Sequence, residues 1–173
     1  MRPGRPVFKD LDRREILLFV ATWAYSGKSP VAPAAVASFT ALLSVVLLRE
    51  SWFLNGGFVF TVLTCVAVGF WVSGRAEVIL GEKDAKCIVI DDVAGFLIAI
   101  YGFQQGRADS LLVLWVLFRV IDNVKVFPLR LIEARLTGAS AIMLDDVVAG
   151  VYANVVARLV STVSGWPVPG AGP

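Results

Sequence analysis

The chain of 173 residues contains no histidine. That absence excludes phosphohistidine intermediates, Ser-His-Asp triads and histidine-ligated zinc together. Cysteine is nearly absent as well. Cys65 and Cys87 are too far apart for a CxxC metal site, and neither begins a Cys-x5-Arg phosphate loop. Both are expected as buried free thiols. No GxGxxG or GxxxxGK phosphate-binding loop occurs. Charge is scarce too, since Asp, Glu, Lys and Arg make up 17% of the chain where soluble domains carry about a quarter. Strand-like alternation of apolar and polar residues is almost missing. These absences leave open a hard-cation site built from oxygen ligands.

What is present is hydrocarbon. Hydrophobic residues reach 57% and mean hydropathy is +0.75. They fall into apolar blocks at residues 31–48, 58–72, 87–103, 111–121 and 141–163. The pattern predicts an all-α, polytopic helical membrane bundle with four to five membrane helices. Several blocks fall short of the roughly 20 residues of a clean span, so tilt, local thinning or cover from neighbours is expected. Arg2, Arg5, Lys9, Arg13 and Arg14 precede or open a short apolar stretch at 16–25, about 15 Å long as a helix, which reads as an N-terminal interfacial helix. Arg13-Arg14 before an apolar run also has the form of a secretory signal, but Lys28-Ser29-Pro30 interrupts it. Residues 1–165 read as a single domain and the Pro/Gly segment 166–173 as a disordered tail.

Threading the blocks alternately gathers Lys28, Arg75, Lys83, Lys86, Lys125, Arg130 and Arg135 on the side of the N-terminus and leaves Arg49, Arg107 and Arg158 for the other. The positive-inside rule makes the first side cytoplasmic. The same threading brings five acids to that side: Asp91 and Asp92, Asp122, and Asp145 and Asp146. The two pairs sit in near-repeats, Ile90-Asp91-Asp92-Val93-Ala94-Gly95 and Leu144-Asp145-Asp146-Val147-Val148-Ala149-Gly150. A charge at mid-bilayer costs roughly 2.5 to 3.5 kcal/mol, which marks such residues as functional. Both pairs are expected at helix N-termini, where the dipole favours them. Small residues follow four positions later, so two helices can approach closely and bring their acids onto one ion. Capping and ordinary glycine packing would account for one pair alone; two pairs with Asp122 point to a cation.

Basic and hydroxyl groups lie nearby in sequence. Arg119 and Lys125 can meet phosphate oxygens, or equally form i,i+3 ion pairs with Asp122. Ser29 reads as an N-cap with Pro30 in the first turn, giving free amides for an anion beside Lys28. The Ser38 hydroxyl is expected to bond back to its own helix.

Four ordered motifs carry a resemblance: Ser29-Pro30-Val31-Ala32-Pro33, the Asp91-Asp92 box through Gly95, Phe118-Arg119-Val120-Ile121-Asp122-Asn123-Val124-Lys125, and Ile142-Met143 followed by the Asp145-Asp146 box through Gly150. In order and spacing they resemble the phosphatidylglycerophosphatase A family. Two glycine-rich stretches of that pattern stand here as Pro33-Ala34-Ala35-Val36-Ala37-Ser38 and Gly138-Ala139-Ser140-Ala141.

The resemblance implies an all-helical, Mg²⁺-dependent, multi-pass enzyme of the bacterial inner membrane, with its active site on the cytoplasmic side. It would convert phosphatidylglycerophosphate to phosphatidylglycerol and phosphate. Its acidic motifs map onto Asp91, Asp92, Asp122, Asp145 and Asp146, as metal ligands and catalytic groups. Its basic motifs map onto Arg119 and Lys125, and Lys28, Ser29 and Ser38 join them as candidate phosphate-binding residues. A membrane phospholipid is the expected partner and no nucleic acid is; the oligomeric state stays open. Other readings are a phosphatase of a different lipid phosphate and a catalytically inactive relative. Acids confined to one face argue against a cation transporter.

Overall fold

A computed structural model describes residues 7–48, 56–83, 85–103, 107–124 and 139–164. Among them are six α-helices and no strand: α1 (Val7–Ala21), α2 (Pro33–Leu48), α3 (Gly57–Leu80), α4 (Ile90–Ala99), α5 (Ala108–Val124) and α6 (Ala139–Ser164). The expected tail at 166–173 lies outside the described residues.

The N-terminal helix, expected as an interfacial helix over 16–25, lies instead over Val7–Ala21. It ends at Ala21, because Trp23, Ala24 and Tyr25 adopt left-handed φ angles of 45°, 53° and 64°. The Thr22 hydroxyl closes that end, donating to the Leu18 carbonyl at 2.8 Å and accepting from the Tyr25 N–H at 3.2 Å. The helix start expected at Ser29 and Pro30 is also corrected: α2 begins at Pro33. Ala32, just before Pro33, takes a left-handed φ of 44°, so the right-handed helix does not extend back through it. Pro33 suits the first helical position because its missing N–H would have no partner there. Ser29 instead ends a 3-10 turn, Ser26–Lys28, and its hydroxyl donates to the Val31 carbonyl at 2.9 Å.

Among the described residues, fewer helices are long and apolar enough to cross a membrane than the four to five expected. By length and composition the candidates are Gly57–Leu80 and Met143–Val163, with Pro33–Leu48 a shorter apolar helix. The third block fails for a geometric reason. α4 has 10 residues, about 15 Å of rise, half of a hydrocarbon core. It ends at Ala99, and the chain turns just beyond at Gly102, whose φ of 86° suits glycine. Of its residues, all but Ile98 are buried, and α2, α3, α5 and α6 pack around it. The fold is therefore a ring of longer helices around one short central helix. The outer faces stay apolar: Val78 on α3 and Val163 on α6 are 81% and 88% exposed. The thiols were expected to be buried; Cys65 is buried and Cys87 only half-buried, and both are free.

Candidate metal centre

The start of α4 is fixed from below by the N-terminal region. The Val89 N–H donates to the Ala21 carbonyl at 3.0 Å. Gly27 packs so tightly that a Cβ there would sit 2.2 Å from the Cys87 carbonyl oxygen. Asp91 and Asp92 then fall in the first turn of α4, where the helix's first amides and its dipole favour carboxylates. The Asp92 N–H donates to Asp91 Oδ1 at 3.0 Å.

α6 crosses α4 at two glycines, as the spacing of small residues predicts. A Cβ on Gly95 would meet the Asp146 carbonyl oxygen at 2.5 Å, and one on Gly150 would meet the Gly95 carbonyl oxygen at 2.2 Å. Backbone therefore lies against backbone, and Asp146 is carried to the first turn of α4. One carboxylate oxygen from each of Asp91, Asp92 and Asp146 lies within 4.8 Å of the others. These side chains belong to residues only 4%, 7% and 7% exposed.

Arg119 enters from α5. Its Nη1 is ion-paired with Asp92 Oδ1 and lies 3.2 Å from Asp122 Oδ2. The alternative of an i,i+3 pair with Asp122 is thus realised, together with a longer-range pair to Asp92. Burial pushes the Asp92 carboxyl up to about 6; Arg119 pulls it down, and the Asp122 charge adds to the rise.

The remaining sequence candidates divide. Asp122 is joined to the cluster both through Arg119 and by a side-chain hydrogen bond with Asp146, although it is not one of the three mutually close acids. Asp145 is buried beside Asp146 and is likewise not one of those three. Neither Asp145 nor Asp146 is in the first turn of α6, which holds no acidic residue, so the expected dipole support is missing for this pair. Lys28 is exposed and its Nζ lies 4.2 Å from the centre of the Tyr25 ring. Ser38 is fully buried, donates to the Ala34 carbonyl at 2.9 Å and accepts from Trp115 Nε1 at 3.0 Å. Lys125 lies outside the described residues.

Sequence reasoning missed Asn154. Its amide donates to the carbonyls of Ala99 at 2.9 Å and Tyr101 at 2.7 Å, at the far end of α4. The available signal was an amide and an arginine, Asn154 and Arg158, spaced i,i+4 within an apolar run.

Three buried carboxylates facing one nearby guanidinium leave excess negative charge in a dry place. Their donor set is all oxygen, which fits a hard divalent cation and not a thiophilic one. Burial of that charge without a partner would cost several kcal/mol per ion, of order. The residues therefore fit the metal that the sequence motifs imply.

The family model described as phosphatidylglycerophosphatase A (PgpA) matches residues 19–161 of the chain. The Haemophilus influenzae phosphatidylglycerophosphatase A is 31% identical over 117 residues, covering 66% of this chain and 69% of the relative. The Escherichia coli phosphatidylglycerophosphatase A is 28% identical over 127 residues, covering 73% and 72%. A Bacteroides thetaiotaomicron protein whose provisional name is phosphatidylinositol-3-phosphatase is 28% identical over 156 residues, covering 86% and 95%. No solved structure matches the chain.

Proposed function

The chain belongs to the phosphatidylglycerophosphatase A family, and from that premise we propose that it is a membrane-embedded lipid phosphatase that converts phosphatidylglycerophosphate to phosphatidylglycerol. The observation that carries this reading is the buried triad of Asp91, Asp92 and Asp146 with Arg119 at its edge. The exposed apolar faces of α3 and α6 support membrane embedding. The basic residues gathered on the N-terminal side support a site open to the cytoplasm in a bacterial inner membrane.

Asp91, Asp92 and Asp146 would hold one or more Mg²⁺ ions, with Asp122 and Asp145 as further carboxylates near them. When bound, the ion supplies neutralisation of the phosphate and polarisation of its P–O bonds. The protein's own contribution is position and charge. Arg119 has five N–H donors, and those not engaged by Asp92 and Asp122 can meet phosphoryl oxygens in a planar fork. One cluster carboxylate accepts the proton of a water that attacks phosphorus in line, while the bond to the glycerol oxygen breaks and that oxygen takes a proton. With no histidine and no phosphate-loop cysteine in the chain, direct attack by water needs the fewest groups.

A second reading, another lipid phosphate monoester as substrate, is favoured by the provisional name of the Bacteroides relative. The experiment is phosphate release by the detergent-purified protein from phosphatidylglycerophosphate, phosphatidic acid and phosphatidylinositol 3-phosphate, in Mg²⁺ and then in EDTA. Release from the first lipid alone, abolished by EDTA, is expected. Preference for either other lipid would install the second reading, and silence on all three would leave an inactive relative.

A further inference from the structure

α4 stops inside the protein, so its last carbonyls need donors where no further helical turn exists. The backbone supplies some of them. Ile100 N–H donates to the Phe96 carbonyl at 3.1 Å, Tyr101 N–H to Ile98 at 3.1 Å, and Phe103 N–H to Ile100 at 2.8 Å. The carbonyls of Ala99 and Tyr101 are served from α6, by Asn154 Nδ2 at 2.9 Å and 2.7 Å, with Ile98 reached at 3.4 Å.

Arg158 holds that amide in place. Its Nε donates to Asn154 Oδ1 at 2.8 Å and its Nη2 to the Tyr101 carbonyl at 2.9 Å. An amide whose oxygen is bound by a guanidinium must turn its NH₂ to the carbonyls. Gly102 makes room for this, since a Cβ there would lie 2.4 Å from Arg158 Nη2. Beside the cap runs an open groove of about 240 Å³, in which Val59, Val62, Leu63, Ile98, Val151 and Val155 surround Asn154 and Tyr101. Those aliphatic walls offer the carbonyls no substitute donor.

The positions on α6 then form one stripe. Asp146, Gly150, Asn154 and Arg158 follow at i,i+4 spacing, so they share a helix face. Along it, Asp146 meets Asp91 and Asp92, Gly150 touches Gly95, and Asn154 grips the last carbonyls of α4. We infer that Asn154, steadied by Arg158, is a positioning residue that clamps the inner end of α4 and thereby sets Asp91 and Asp92 against Asp146. A helix this short moves as a rod. A slip of one residue displaces the acids by about 1.5 Å, against a tolerance of about 0.2 Å for metal–ligand distances.

This inference rests on the metal-dependent reading above, so its test carries a readout that needs no turnover. The full chain in detergent is compared with Asn154→Leu, which keeps volume and removes every donor, and with Arg158→Gln, which leaves the amide but loosens it. Mn²⁺ binding is followed by electron paramagnetic resonance without lipid. Turnover is resolved into kcat, KM for lipid and the Mg²⁺ concentration giving half the maximal rate.

Asn154→Leu is expected to weaken Mn²⁺ binding and lower kcat by about 10–100-fold, the usual effect of removing a group that orients metal ligands, with lipid KM unchanged. Arg158→Gln is expected to show a smaller loss of the same kind. A lower melting temperature with kcat and Mn²⁺ affinity within about twofold of the parent would make Asn154 a packing residue and overturn the inference. If Asn154→Leu does not fold, parent-like Mn²⁺ affinity in Arg158→Gln overturns it instead. A parent that binds Mn²⁺ yet hydrolyses no lipid overturns the proposed function and leaves the Mn²⁺ comparison to decide this point. A parent that binds no Mn²⁺ overturns both.

Discussion

Asp91-Asp92 opens a helix of 10 residues that ends inside the protein, whereas Asp145-Asp146 sits beyond the first turn of a helix of 26 residues. The first pair is supported by the amides and dipole of its helix, and both of its carboxylates join the close cluster. The second pair has no such support and sends only Asp146 to that cluster. A near-repeat in sequence thus serves two different ends. One box is carried on a short central rod, and the other on the long strut against which the rod is set. A shared motif fixes which atoms are offered; the length of the helix that bears it fixes where they go.

The largest effect expected from this difference separates the two members of the second box. Asp146→Asn should lower kcat by at least about 100-fold, as loss of a carboxylate that holds the ion or accepts the proton of the attacking water does, while Asp145→Asn should cost about tenfold or less. Asp91→Asn and Asp92→Asn should both behave like Asp146→Asn. Phosphate-release kinetics on the four purified variants would decide it, and equal losses at positions 145 and 146 would erase the asymmetry between the boxes.

Next in size is the crossing itself. Gly150→Ala places a methyl 2.2 Å from the Gly95 carbonyl oxygen, and Gly95→Ala places one 2.5 Å from that of Asp146. Backbone cannot yield as a side-chain tip can, so each change should push α4 and α6 apart and destabilise the protein by about 1–3 kcal/mol. Activity should fall with it because the acids separate. Thermal unfolding in detergent and kcat should both respond; unchanged kcat would mean that the two boxes do not need this contact.

Much of this architecture was legible in the chain. The apolar blocks gave an all-helical protein, and the i,i+4 spacing from acid to small residue gave the close crossing, because both depend on local period alone. What escaped was length and partnership. Nothing in the run from Cys87 to Phe103 marks its helix as ending at Ala99, since the termination depends on Gly102 and on donors from Asn154 and Arg158, more than fifty positions on. Parity rescued the placement of the acids. If α4 and α5 form a hairpin that returns without crossing, Asp91 and Asp122 still share a face, as they do when both helices cross. The start of α2 was misplaced by three residues because Ala32 takes a left-handed φ ahead of Pro33 while Ser29 ends the Ser26–Lys28 turn, a local conformation that no helix-start motif announces.

A smaller effect tests how α5 ties itself to the first box. Arg119 reaches both Asp92 and Asp122, and it does so with a planar group that lysine lacks. Arg119→Lys should keep the charge but lose one of the two partners, a deficit of about 1.5–3 kcal/mol, or roughly 10–100-fold in kcat/KM. Parent-like kinetics in that variant would show that charge alone suffices at the first box.

The smallest effect separates a hydroxyl that supports the site from one that touches substrate. Ser38 is fully buried and already holds two partners, the Ala34 carbonyl and Trp115 Nε1. Trp115 lies one turn before Arg119 on α5, so this bond fixes α2 to the helix that serves Asp92 without any need to reach the phosphate. Ser38→Ala removes the acceptor from the indole and should cost about 1 kcal/mol, a drop of about 2–4 °C in melting temperature for a chain of this size. The kcat should stay within about twofold, because Arg119 is also held by its pairs with Asp92 and Asp122. A melting temperature that holds while kcat collapses would place the hydroxyl on the substrate, and α2 would then contribute chemistry to the first box instead of support.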